Sequence, residues 1–343
     1  MRSLFRTHAF PTPLAAPRRG AVSGTTLERS VAVSLPAAVD RADALPGGVP
    51  RIGTRAADFV ELTKPRLVVM VLITAGVGFY LGTVDGSDAL AIIPTLIGTA
   101  LAAAGTLALN QFVERDVDAR MERTRRRPLP DGRVQPWEAL AFGTLLTLLG
   151  LGYLAVAVNP LCSAVTGLTT VTYLFCYTPL KRYTPLCTLV GAVPGALPPV
   201  TGWTAARDSI GIEAWILFSI LFLWQLPHSL AIARLYRDDY ARAGIKLLPV
   251  VEPDARSTAR HVVANCFALL LVGLLPTCVG LAGPVYFGVA LVIGLVFLGY
   301  GIAFARAPGV PTARQLLFAS LLYLPALLLV MALDKVSQTL MAG

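Results

Sequence analysis

Charge is what this 343-residue sequence has least of. Only 14% of its residues are Asp, Glu, Lys or Arg, while 55% are hydrophobic; a soluble domain carries roughly 25% charged residues. That deficit argues against a water-facing globular chain and for an integral membrane protein. Cysteine is sparse. Cys162, Cys176, Cys187, Cys266 and Cys278 form no CxxC pair and are odd in number, which argues against a disulfide framework or a zinc site. They are expected to be small buried apolar residues. No CxxCH pattern for covalent heme occurs. Lysine is rare, four against twenty-five arginines, in a chain of net charge +9. Nucleic acid is not the partner this excess implies, because of where the basic residues lie.

Residues 1–55 differ from the rest. They are rich in Pro, Ala, Ser and Arg and hold no long apolar run. No apolar h-region follows the early arginines, so a signal peptide is not expected. A mitochondrial transit peptide is the rival reading, but Pro11, Pro13 and Pro17 oppose its amphipathic helix. A disordered extension is expected there, a transmembrane domain over 56–335 and a short tail over 336–343. Nine apolar runs make up that domain, near 67–84, 89–109, 137–158, 160–178, 185–205, 212–232, 261–282, 284–304 and 315–333. Each suffices for about 30 Å of hydrocarbon at about 1.5 Å per residue. An all-α bundle of nine transmembrane helices is the expected fold.

Placed between those runs, twenty-seven of the twenty-nine Lys and Arg fall on one side, leaving Arg207 and Lys335 on the other. The basic side is the cytoplasm, or the matrix in a mitochondrion. The two long connections, after the second and sixth runs, both lie on that side and both contain acids.

The first of them begins NQFVERDVDARMERTRRRPLP, residues 110–130. Asn110, Glu114 and Asp118 recur at four-residue steps and share one helix face. Carboxylates so spaced repel by roughly 0.2–0.5 kcal/mol even in water, and a divalent cation between them removes the penalty. An amide oxygen with carboxylates suits Mg²⁺, which prefers to share its sphere with phosphate. Arg123 and Arg127 follow, and guanidinium groups grip phosphate oxygens in pairs. The bland alternative is a charged loop obeying the positive-inside rule. Asp238 and Asp239, in the second long connection, tip the balance toward a metal–diphosphate cage.

The stretch 110–130 resembles the first aspartate-rich motif, NxxxDxxxD followed by RTxxRP, of the UbiA-type intramembrane prenyltransferases. Within them, YTPLKRYTP at 177–185, VGAVPGALPPVTGW at 190–203 and WQLPHSLAIARLYRDDYARAGIKLLPV at 224–250 resemble the heme O synthase branch. The likeness runs from about residue 57 to 333. It implies a UbiA-like bundle, Mg²⁺ as cofactor, and farnesyl diphosphate and heme B as substrates. The farnesyl group would pass to the 2-vinyl group with addition of water, giving heme O for heme–copper terminal oxidases. A heme A synthase or the oxidase assembly would be the protein partner, in a bacterial inner membrane with the site facing the cytoplasm.

Carried over by position, Asn110, Glu114, Asp118, Asp239 and Lys181 are the catalytic candidates, with Glu114, Asp118 and Asp239 as metal ligands. Arg123, Arg127, Arg182, Tyr177, Asp238 and His228 are the substrate-binding ones. Glu114 stands where the family carries Asp, Cys187 where that branch carries asparagine, and the second motif lacks DxxxD. Pro194, Pro198 and Pro199 interrupt the fifth run, where broken helices line cavities. Prenylation of an aromatic acid or quinone precursor would use the same diphosphate site. A secondary transporter would place its acids at mid-span, whereas these lie at the basic-side ends.

Overall fold

The structure, a computed structural model, describes residues 52–84, 90–252 and 254–336, with side chains from Arg55 onward. The loop at 85–89, residue 253, the tail beyond 336 and residues 1–51 lie outside the described residues. A short helix α1 (Ile52–Leu62) starts inside the expected extension and precedes the first crossing helix, α2 (Pro65–Gly82). Then come α3 (Ile92–Asp118), α4 (Pro136–Ala157) and α5 (Pro160–Val171). A π-helical turn (Thr172–Tyr177) and α6 (Thr178–Leu180) continue α5. Two ten-residue helices follow, α7 (Cys187–Ala196) and α8 (Pro198–Arg207), then α9 (Ile212–Leu235), α10 (Arg237–Arg242) and α11 (Leu248–Val251). The chain ends in α12 (Arg256–Val272), α13 (Leu275–Cys278), α14 (Pro284–Arg306) and α15 (Val310–Leu333).

Local chemistry sets these starts. Proline opens α2, α4, α5 and α14, where its missing N–H costs nothing. The Asn159 side chain caps α5 by accepting from the Cys162 amide at 2.7 Å.

Eight helices of the described residues, counting α5 to α6 and α12 to α13 as one each, are long and apolar enough to cross a membrane, not nine. The expected fifth span is broken. Leu197 keeps helical angles, but Pro198 and Pro199 lack the amides that would bond backward. The broken pair still traverses the bundle. Its start, Cys187, follows the Lys181 turn, and Ala206 and Arg207 at its end pack against Gly82 at the far end of α2. α8 meets α2 backbone to backbone: a Cβ at Gly78 would lie 2.0 Å from the Pro199 carbonyl oxygen, and one at Gly202 1.8 Å from that of Ala75. In a bilayer, where lipid is as apolar as Leu, such close approach is what holds helices together.

The larger core lies among α9, α12, α14 and α15, around Leu217, Ile220, Leu269, Tyr286 and Leu316. Leu322, Leu333 and Val156 point outward, exposed, as lipid-facing residues do. At the end away from the basic loops, Lys335 donates to the carbonyls of Tyr80 (2.6 Å) and Thr83 (2.7 Å). Asp334 accepts there from the Tyr286 amide at 2.7 Å. Three of the five cysteines are buried as expected; Cys176 and Cys278 are exposed.

Candidate active site

α3 runs past its apolar part to Asp118, so Asn110, Glu114 and Asp118 share a helical face as the spacing predicts. They line one cavity of about 170 Å³ with Lys64, Arg123, Arg127, Tyr173, Tyr177, Lys181 and Tyr240. Asn110 is buried. Its Nδ2 donates to Thr178 Oγ1 at 3.1 Å, and its Oδ1 accepts from Lys64 Nζ at 3.2 Å. Lys181 Nζ donates to Glu114 Oε1 at 2.7 Å, and Arg127 Nη1 to Asp118 Oδ2 at 2.7 Å. Arg123 Nη2 donates to the Tyr240 hydroxyl at 2.9 Å, with the guanidinium over the rings of Tyr236 and Tyr240.

Four cations thus face two carboxylates, an excess of two positive charges when Lys64 is protonated. Such a wall rejects a bare cation and accepts an anion. Burial, with the charge of Arg127 behind it, pulls the Lys64 pKa down to about 7, against the opposing pull of Glu114 and Asp118. Burial would lower Lys181 too, but Tyr177 and Glu114 outweigh it and hold that ammonium's pKa raised. Lys64 also occupies the left-handed region (φ 51, ψ 64), a strained conformation for a side chain. The tight turn it makes before Pro65 brings its ammonium to the cavity.

The donor set fits Mg²⁺. Among the described residues no three acidic, histidine or cysteine side chains cluster closely enough to hold a metal alone. The chain therefore offers Glu114, Asp118 and the Asn110 amide oxygen, and the remaining ligands must be phosphate oxygens and water, which is how Mg²⁺ is usually held.

Not every expected residue reaches this cavity. Asp239 is buried, but its Oδ1 accepts from the Glu122 amide at 3.0 Å and from Arg242 Nη2 at 2.5 Å. Those donors outweigh burial and hold its carboxyl below the ordinary range. Asp239 ties the two long basic-side connections together and is not on the cavity wall. Asp238 and Arg182 are exposed. His228 Nδ1 pairs with Ser320 Oγ at 2.8 Å, and its ring stacks on Trp224 at 4.8 Å, within α9 and α15. The sequence reading missed Lys64, Tyr173 and Tyr240. Lysine's rarity was the one available signal: two of four lysines, Lys64 and Lys181, line this cavity.

Residues 71–332 match the UbiA prenyltransferase family. This chain belongs to that family. A protoheme IX farnesyltransferase of Solibacter usitatus is 46% identical over 287 residues, covering 81% of this chain and 98% of that protein. One from Koribacter versatilis is 44% identical over 302 residues, covering 84% and 97%. Among solved structures, a digeranylgeranylglyceryl phosphate synthase superposes with a TM-score of 0.71 at 16% identity, covering 82% of this chain and 98% of that one. A UbiA homolog from Archaeoglobus fulgidus, bound to DMAPP and Mg²⁺, gives 0.61 at 16%, covering 80% and 99%. At such identity these two establish the fold. As a UbiA-family member the chain is an integral membrane prenyltransferase, and the cavity at the end of α3 is its candidate active site.

Proposed function

We propose that this protein transfers the farnesyl group of farnesyl diphosphate to the 2-vinyl group of heme B, with addition of water, to give heme O. The observation that carries the donor side is the cavity itself, where Glu114 and Asp118 share a wall with Lys64, Arg123, Arg127 and Lys181. The acceptor side is supported by the relatives named protoheme IX farnesyltransferase, of which this chain covers nearly the whole length. The structure of the A. fulgidus homolog with DMAPP and Mg²⁺ supports a metal–diphosphate donor.

Asn110, Glu114 and Asp118 would hold Mg²⁺, which when bound supplies positive charge to the departing diphosphate. Lys64 would turn from the Asn110 amide oxygen, and Arg127 and Lys181 from their carboxylate partners, to phosphate oxygens, and Arg123 would meet the outer phosphate from the loop. Charge fixed ahead of the reaction at the leaving oxygen favours ionisation of the C–O bond. The vinyl carbon attacks the farnesyl cation at C1. Water captures the resulting benzylic-type cation and loses a proton, leaving a hydroxyethylfarnesyl arm. The apolar helices hold the isoprenoid and exclude water until that point. The site would face the cytoplasm of a bacterial inner membrane, where the basic loops gather, and hand its product to a heme A synthase or oxidase assembly.

Pigments extracted from membranes of cells producing the protein test this. A more hydrophobic heme, absent from cells producing Asp118→Asn, is the expected result. Unchanged heme B together with a prenylated aromatic acid would retain the family and reject the acceptor.

A further inference from the structure

Lys181 must reach Glu114 and a diphosphate from the end of a helix, and its path is set by Tyr177. The π-helical turn Thr172–Tyr177 widens the helix by one residue just before the cavity. It turns both Tyr173 and Tyr177 onto the cavity wall, their rings 5.5 Å apart. Lys181 Nζ sits 4.2 Å from the centre of the Tyr177 ring, and that cation–π contact aims it at Glu114 Oε1. The Cδ2–Cε2 edge of the ring rests on α7, against the bare backbone of Gly191. A Cβ at Gly191 would lie 2.5 Å from both Cδ2 and Cε2 of Tyr177 and 3.0 Å from Cζ. A ring edge so close has no flexible end that yields, so any side chain there must displace Tyr177. Gly191 bends nothing, for it lies inside a regular helix and does not adopt positive φ.

We propose that Gly191 is a positioning residue of the diphosphate site: its missing side chain lets the Tyr177 ring seat on α7, and the ring in turn delivers the Lys181 ammonium to the cavity. The inference rests on the donor half of the proposed function and is independent of the acceptor. It also gives the branch-like segment VGAVPGALPP a role on the donor side.

The test is binding, not turnover. Farnesyl diphosphate with Mg²⁺ is titrated against detergent-solubilised protein by equilibrium dialysis. Gly191→Ala should weaken binding about tenfold, which is about 1.4 kcal/mol and within the range of a desolvated cation–π contact. Tyr177→Ala should weaken it as much, and Gly191→Ala added to Tyr177→Ala should do nothing further, since the clash is gone. Gly152→Ala, where a Cβ meets nothing within 4 Å, should bind like the wild type. Gly191→Ala binding within twofold of wild type overturns the inference, and so do additive losses in the double variant. If Gly191→Ala does not accumulate, its recovery in the Tyr177→Ala background supports the proposal, and failure there overturns it. A wild type that binds no farnesyl diphosphate would reject the proposed function and this inference together. Binding intact with heme untouched would reject only the acceptor.

Discussion

Lys64 makes the donor site sensitive to pH in the physiological range. Its pKa of about 7 belongs to the protein without a bound anion. A diphosphate beside it favours the charged ammonium, so the complex has a higher pKa than the free protein. The anion therefore binds tightest where Lys64 is already protonated, below about 7. As pH rises through that value, binding must take up a proton and weakens. With one site and a free pKa of about 7, affinity falls about tenfold from about pH 6 to about pH 8, or about 1.4 kcal/mol. Diphosphate ionises further over the same interval, and that strengthens binding in every variant. Lys64→Arg stays charged throughout, so the ratio of wild-type to Lys64→Arg dissociation constants cancels the ligand's own titration. The assay is equilibrium dialysis of farnesyl diphosphate at saturating Mg²⁺ across that range. The ratio should rise about tenfold with pH. A flat ratio would refute the reasoning, since Lys64 would then keep one charge state across the range.

Three other outcomes follow from the geometry. Asp118→Asn keeps an acceptor for Arg127 Nη1, and Arg127 retains 25% exposure, so the protein should fold with only a modest stability loss; kcat should fall by about 10²–10³, the cost of one preorganised electrostatic group, measured as farnesyl transfer at saturating substrates. Calorimetric titration with Mg²⁺ alone should show little binding, because the wall carries excess positive charge, whereas adding inorganic pyrophosphate should produce a tight ternary complex. Gly202→Ala should force α2 and α8 apart, costing about 1–3 kcal/mol as overpacking does, read as a lower thermal midpoint in detergent.

The eight long helices were legible because each is an apolar run of crossing length. The broken traverse was visible as Pro194, Pro198 and Pro199, but counting runs cannot tell a continuous span from two short halves. The face of Asn110, Glu114 and Asp118 needed only the helical period. What escaped depends on contacts far apart in sequence. Asp239 is expected as a metal ligand, and nothing in the sequence points to the Glu122 amide, 117 residues away, as its partner. His228 is expected to bind substrate, and nothing in the sequence points to Ser320, 92 residues away, beside it. Lys64 sits outside every apolar run, and only the turn before Pro65 brings it to the cavity.

The most direct test of the central claim is a single reaction. Purified protein receives farnesyl diphosphate, Mg²⁺, heme B and 4-hydroxybenzoate together, and the products are resolved by mass. The expected result is a heme heavier by one farnesyl group and one water, no prenylated benzoate, and no product once the metal is chelated. Unmodified heme beside prenylated benzoate would contradict the account.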